Sequence, residues 1–172
     1  AMIGISYGGG IMLRAIFEIN NQLPYPKTIL TYGTYSNAES MMKFLLNGEI
    51  SIDGRTYRTI PHEWGLIILF HNYLKNLPTD WDSNDLQRAI KLQVQGKMEE
   101  CNAQVNQLPE LQKNIFSSIV QRNLTPEVKE LVLAIIKKEH QTLKNLSPKY
   151  WAKEIQNKVF IIHGANDSMV PF

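Results

Sequence analysis

The first feature that could do chemistry is a serine between two glycines near the start of the chain. Ser6 follows the short apolar run 2–5, and Gly4 and Gly8 stand two positions before and after it. This G-x-S-x-G spacing is typical of a sharp turn between a strand and a helix that exposes a serine hydroxyl for nucleophilic attack. Such a turn strains the backbone at the serine, and we expect the two glycines to prevent a collision between strand and helix. Ser6 is therefore the predicted nucleophile.

Tyr7, the next residue, would supply part of an anion-binding site. Its backbone N–H could donate to the oxyanion that forms on an attacked carbonyl, where the N-terminus of the following helix adds positive potential. The bare pattern is expected by chance in roughly one chain in twenty of this length. A glycine-rich terminus such as Gly8-Gly9-Gly10 is also typical of a flexible tail. The motif therefore needs support from elsewhere in the sequence.

That support lies near the other end of the chain. The apolar, β-rich run 158–162 leads into the segment His163-Gly164-Ala165-Asn166-Asp167-Ser168-Met169-Val170-Pro171. Together with the serine motif, this H-G-x-x-D-x-x-V-P pattern resembles the α/β-hydrolases, in which the segment follows the seventh strand and carries the acid of a Ser-Asp-His triad. The resemblance implies that Asp167 is the acid and that His163 has a structural role. A serine that precedes the aspartate is the order expected for that fold.

The resemblance also implies an activity, hydrolysis of carboxylic esters without a metal or an organic cofactor. The catalytic histidine of such an enzyme would follow the acid by some tens of residues, and a loop ahead of the serine would supply a second oxyanion donor. We therefore expect these 172 residues to be an internal fragment that is inactive towards esters by itself. A serine peptidase or aminopeptidase, a thioesterase and a non-catalytic binding module on the same fold remain open, because specificity depends on pocket shape.

Three strands must position the serine and the aspartate. Apolar runs predict strands over 2–5, 28–32 and 158–162, with a helix over about residues 9–20 and a loop marked by Pro24 and Pro26. A strand, a helix and a strand at this spacing predict a right-handed crossover in a parallel sheet. The resemblance makes these family strands five, six and seven, side by side, with apolar unpaired edges. The expected fold class is α/β, with a partial hydrolase core formed by residues 1–33 and 157–172.

Residues 34–156 differ from the rest, because they read as a series of amphipathic helices. Asp53-Gly54 predicts a hairpin within this region, and Gly96 predicts a break in a longer helix. The resemblance implies that the region is a mostly helical lid between strands six and seven. Its most apolar run contains Trp64, Ile68 and Phe70, which we expect to contact an acyl or alkyl group of the substrate; an ordinary helical core is the alternative.

Composition limits the other classes of function. The chain has 18 basic and 16 acidic residues, a net charge of +2 and no basic run interleaved with aromatics, so no nucleic-acid partner is expected. The longest apolar run, 64–70, is too short to span a bilayer. The single cysteine, Cys101, excludes an intrachain disulfide and a cysteine zinc cluster, and the histidine spacing indicates no metal site. We expect a cytoplasmic protein whose partners are a small ester or acyl substrate and, through unpaired sheet edges, further copies of itself.

Overall fold

The structure is a computed structural model that describes residues 1–19 and 26–171, and its architecture is mixed α/β. The described residues form a three-stranded sheet, a two-stranded hairpin and eight α-helices. In chain order the elements are β1 (Met2–Ile5), α1 (Ser6–Glu18), β2 (Thr28–Tyr32), α2 (Ala38–Asn47), β3 (Glu49–Ile52), β4 (Arg55–Arg58), α3 (Glu63–Tyr73), α4 (Asn84–Val94), α5 (Met98–Gln107), α6 (Glu110–Val120), α7 (Pro126–Lys138), α8 (His140–Leu146) and β5 (Lys158–Ile162).

The three-stranded sheet has the strand order β1-β2-β5, and both strand pairs are parallel. The three predicted strands and their side-by-side parallel arrangement are confirmed. In the register of the sheet, Leu30 of the central strand lies between Ile3 and Phe160. Of the predicted helix and loop, Asn20 and Pro24 lie outside the described residues. The carboxyl ends of all three strands meet at one edge, and the serine and aspartate segments follow two of them.

Helix α1 covers one face of the central strand. Leu13 and Ile16 of the helix form a buried cluster with Ile29 of β2 and with Trp151. The helix begins at Ser6, three residues earlier than the predicted start at Gly9. Glycine has a low intrinsic helix propensity, so the Gly8-Gly9-Gly10 run reads as a loop in the sequence, whereas packing against the sheet keeps it helical. No loop separates β1 from α1.

The opposite face of the sheet is apolar and exposed. Neighbouring strands in register place their side chains on the same face, so Ile3, Leu30 and Phe160 form one row, and Ile5, Tyr32 and Ile162 form a second. Ile3 is 65% exposed and Phe160 is 55% exposed. Parallel sheets are normally covered on both faces. The exposed apolar surface therefore includes this sheet face, in addition to the strand edges that the sequence predicts, and Ile161 of β5 is exposed on the other face.

Replacing Phe160 by lysine should weaken self-association of the 172-residue chain, because the substitution places a charge in the middle of the apolar sheet face. Ile60→Lys is the matched control, since Ile60 is also an exposed apolar residue, 78% accessible, but lies outside the sheet. Sedimentation velocity over a range of concentrations measures the effect. We expect a several-fold weaker self-association for Phe160→Lys alone. An equal reduction in both variants would contradict a role for the sheet face.

The chain divides into two compact units. The first contains Ala1–Pro61 and Glu139–Phe172, and the second contains His62–Lys138. In the first unit, helix α2 packs against α8. The buried Ser147 hydroxyl accepts a hydrogen bond from the Ala38 backbone at 2.9 Å and donates one to the Leu143 carbonyl at 2.6 Å. The β3–β4 hairpin, centred on Asp53-Gly54 as predicted, belongs to this unit as well. The predicted lid, 34–156, is thus wider than the helical unit.

The second unit is built from helices α3 to α7. Gly96, at a φ of 70°, separates α4 from α5, which confirms the predicted helix break. Burial raises the pKa of the Cys101 thiol, which lies 3.4 Å from the Ala89 carbonyl oxygen. Phe70 is fully buried in this unit and Ile68 is 39% exposed. A contact between Phe70 and a substrate would require the helical core to open, and the substrate role of Trp64, Ile68 and Phe70 stays a prediction.

Across the described residues, no helix combines the length and the apolar character that crossing a membrane requires.

Candidate active site

Ser6 occupies the junction where β1 passes directly into α1. Its φ is 53°, in the left-handed region that non-glycine residues seldom adopt. The strained backbone that the sequence predicts at this serine is confirmed. The side chain is exposed. The junction therefore presents a hydroxyl at the carboxyl edge of the sheet, on a backbone held in an unusual conformation.

Of the two glycines that flank Ser6, Gly4 has the predicted role and Gly8 does not. Gly4 does sit at the crossing of strand and helix, since a Cβ there would lie 2.6 Å from the Cα of Gly9. Gly8 does not, because a Cβ at that position would meet nothing within 4 Å. Two further positions leave no room for a side chain. A Cβ at Gly9 would collide with Thr34, and a Cβ at Gly10 would lie 2.5 Å from the Tyr35 ring. On the helix side of Ser6, the close contacts therefore fall one and two residues after Gly8.

Tyr7 is the second residue of α1 and lies in its exposed first turn. The first N–H groups of a helix have no partner within the helix, and no side chain caps this one. The role of the Tyr7 N–H as an oxyanion donor stays a prediction. The Tyr7 ring lies 5.5 Å from the ring of Tyr35, centroid to centroid, and burial raises the pKa of the Tyr7 hydroxyl.

Asp167 lies in the loop that follows β5. Its Oδ1 accepts hydrogen bonds from the backbone N–H groups of Met169 and Val170, both at 2.9 Å. The Asp167 N–H donates to the Gly164 carbonyl at 3.2 Å. These bonds hold the loop in a tight turn and occupy one carboxylate oxygen. Oδ2 is the oxygen that remains to orient another group.

His163 is a buried residue whose side chain bonds to the same loop. Its side chain is only 3% exposed, and its Nε2 lies 2.8 Å from the Val170 carbonyl oxygen. A carbonyl oxygen can only accept, so Nε2 carries the proton in this contact. The same nitrogen lies 3.8 Å from Asp167 Oδ2. This geometry agrees with the structural role that the resemblance implies for His163.

The turn after the central strand connects the serine to the aspartate. The Gly33 N–H donates to the Ile162 carbonyl at 2.9 Å, which joins the ends of β2 and β5. A Cβ at Gly33 would lie 3.1 Å from Asp167 Oδ2. The adjacent Thr34 hydroxyl donates to the Ser6 carbonyl at 3.1 Å. Ser6 and Asp167 therefore flank two consecutive residues at the carboxyl edge of the sheet, which is where ligands bind in open α/β sheets.

A cavity of about 260 Å³ lies beside this turn. Tyr35, whose ring contacts Tyr7, forms part of its wall, and so does Pro171, which follows the Asp167 loop. Ser36, Asn37 and Ser40 add polar groups to the lining. The sequence contains no signal for this cavity or for the Thr34 contact, because both depend on segments that are distant along the chain.

Two other histidines have described partners. His140 Nδ1 lies 3.1 Å from Glu39 Oε2, and His62 Nδ1 accepts from the Trp64 N–H at the start of α3. Neither contact involves Ser6.

Comparison of the chain with models of protein families, with curated proteins and with solved structures gives no match. The basis for a functional proposal is therefore the geometry of the site.

Proposed function

We propose that this chain carries the nucleophile and the acid of a serine hydrolase of the α/β-hydrolase type, acting on carboxylic esters. One observation carries the proposal: Ser6 has a left-handed backbone at a direct strand–helix junction, and the turn whose Thr34 hydroxyl bonds the Ser6 carbonyl passes so close to Asp167 that a Cβ at Gly33 would lie 3.1 Å from Oδ2. Strain of this kind is concentrated at functional sites. A flexible glycine-rich tail, the other interpretation of the N-terminal motif, would not be held by a strand ladder and a helix.

Each residue has a distinct role in the proposed reaction. The Ser6 hydroxyl attacks the ester carbonyl while a histidine takes its proton and passes that proton to the departing alcohol. The Tyr7 N–H stabilises the oxyanion. Asp167 Oδ2 orients the histidine that serves as the base. Water then releases the acyl group by the same route.

The acyl and alcohol groups that the substrate carries depend on the shape of the pocket around Ser6. Amide and thioester substrates use the same chemistry.

Labelling with a fluorophosphonate probe tests the proposal in the complete protein. We expect a covalent adduct on the peptide that contains Ser6, identified by mass spectrometry, and none in Ser6→Ala. Ser117→Ala, at an exposed serine of α6, is the matched control and should be labelled like the wild type. A folded protein that gives no adduct at Ser6 would exclude the hydrolase and favour a non-catalytic binding module.

A further inference from the structure

We propose that Thr34 is a positioning residue for the nucleophile and for the oxyanion donor, an inference that rests on the proposed function. Thr34 follows Gly33, whose left-handed φ of 58° turns the chain away from β2. Its hydroxyl donates a hydrogen bond of 3.1 Å to the Ser6 carbonyl. This contact joins the end of the central strand to the residue that carries the reactive hydroxyl.

The hydrogen bond acts on a whole peptide group. The Ser6 carbonyl and the Tyr7 N–H belong to the same planar trans peptide, so their directions are opposite and cannot change independently. Because the hydrogen bond holds the Ser6 carbonyl pointing towards Thr34, the Tyr7 N–H points away from Thr34. Rotation of this peptide would displace the donor that the oxyanion needs, and it would also change the backbone that presents the Ser6 hydroxyl.

The left-handed backbone of Ser6 makes such a restraint necessary. This conformation is disfavoured for a residue with a Cβ, and it persists only where surrounding structure determines it. The Thr34 hydroxyl, which lies outside β1 and α1, adds a hydrogen bond to the Ser6 carbonyl.

Gly9 makes room for Thr34. A side chain at position 9 would collide with Thr34 Oγ1, and its Cβ would also lie 3.0 Å from Thr34 Cβ. The Thr34 side chain therefore occupies the space beside α1 that a side chain at position 9 would fill. The hydrogen bond and this close packing give the Thr34 hydroxyl a defined place beside Ser6.

Two substitutions of Thr34 distinguish the effect of its hydroxyl from the effect of its side-chain volume. Thr34→Val removes the donor and keeps the volume, while Thr34→Ser keeps the donor. In the complete protein we expect Thr34→Val to lower the rate of fluorophosphonate labelling at Ser6 by about tenfold, equivalent to about 1.4 kcal/mol in the barrier. Thr34→Ser should stay within about twofold of the wild type. In ester hydrolysis, Thr34→Val should lower kcat and leave KM nearly unchanged, since peptide orientation affects the transition state more than ground-state binding.

Several outcomes would overturn the proposal. Wild-type labelling rates in Thr34→Val would do so, and so would equal losses in the valine and serine variants. If the wild type gives no adduct at Ser6, the proposed function fails, and crystal structures of both variants then decide the positioning role. Rotation of the Ser6–Tyr7 peptide in Thr34→Val alone would support it, and an unchanged peptide would overturn it. Melting temperatures measured alongside show whether a loss reflects unfolding.

Discussion

Alanine at position 10 should destabilise the protein by about 2 kcal/mol, whereas alanine at position 8 should stabilise it by about 0.5–1 kcal/mol. Both glycines lie in α1, two residues apart. A Cβ at Gly10 would lie 2.5 Å from Cζ and Oη of Tyr35, which is only 2% exposed and whose ring packs against Tyr7. A Cβ at Gly8 would meet nothing within 4 Å.

The opposite signs follow from two competing effects. Alanine is a better helix former than glycine at either position, which favours the substitution. At position 10 the cost of overpacking against Tyr35 exceeds that gain, because a buried ring beside a helix backbone cannot shift without displacing its neighbours.

Urea unfolding curves of the two variants and the wild type, followed by circular dichroism, measure the difference. Gly9→Ala should resemble Gly10→Ala, because its side chain would collide with Thr34. Equal midpoints for Gly8→Ala and Gly10→Ala would show that the helix does not lie against Tyr35 as the structure has it.

Replacing Asp167 by asparagine should lower the ester hydrolysis of the complete protein by about 10³–10⁴-fold while leaving the loop folded. An asparagine carbonyl can still accept the bonds that Met169 and Val170 donate to Oδ1. The amide group that replaces Oδ2 cannot stabilise a histidinium ion, so the base loses its orienting partner. Steady-state hydrolysis of a short-chain nitrophenyl ester measures this effect.

Asp167→Ala separates the two roles of the carboxylate. Without Oδ1, the N–H groups of Met169 and Val170 lose their acceptor, and we expect an additional loss of about 1–3 kcal/mol in the free energy of unfolding. Thermal unfolding of both variants gives this comparison. Full activity in a stable Asp167→Asn variant would exclude this residue as the acid of the triad.

Sequence patterns were sufficient for elements whose cause is local. The strands 28–32 and 158–162 end where expected, because short apolar runs bounded by glycine, proline or charged residues have few other stable conformations. The hairpin at Asp53-Gly54 follows from turn chemistry in the same way. The strained backbone at Ser6 also came from a local pattern, since its two flanking glycines mark a sharp turn.

The sequence by itself therefore determined the three parallel strands, the helix break at Gly96 and the two residues proposed for catalysis. Only the tertiary structure decided which glycines leave no room for a side chain, which sheet face is exposed and which side chain donates a hydrogen bond to the Ser6 carbonyl. Thr34 and Ser6 are 28 residues apart, and nothing in either local pattern specifies that they meet. Such contacts arise when separate segments pack on one sheet, and their energies depend on atoms that no single stretch of sequence contains.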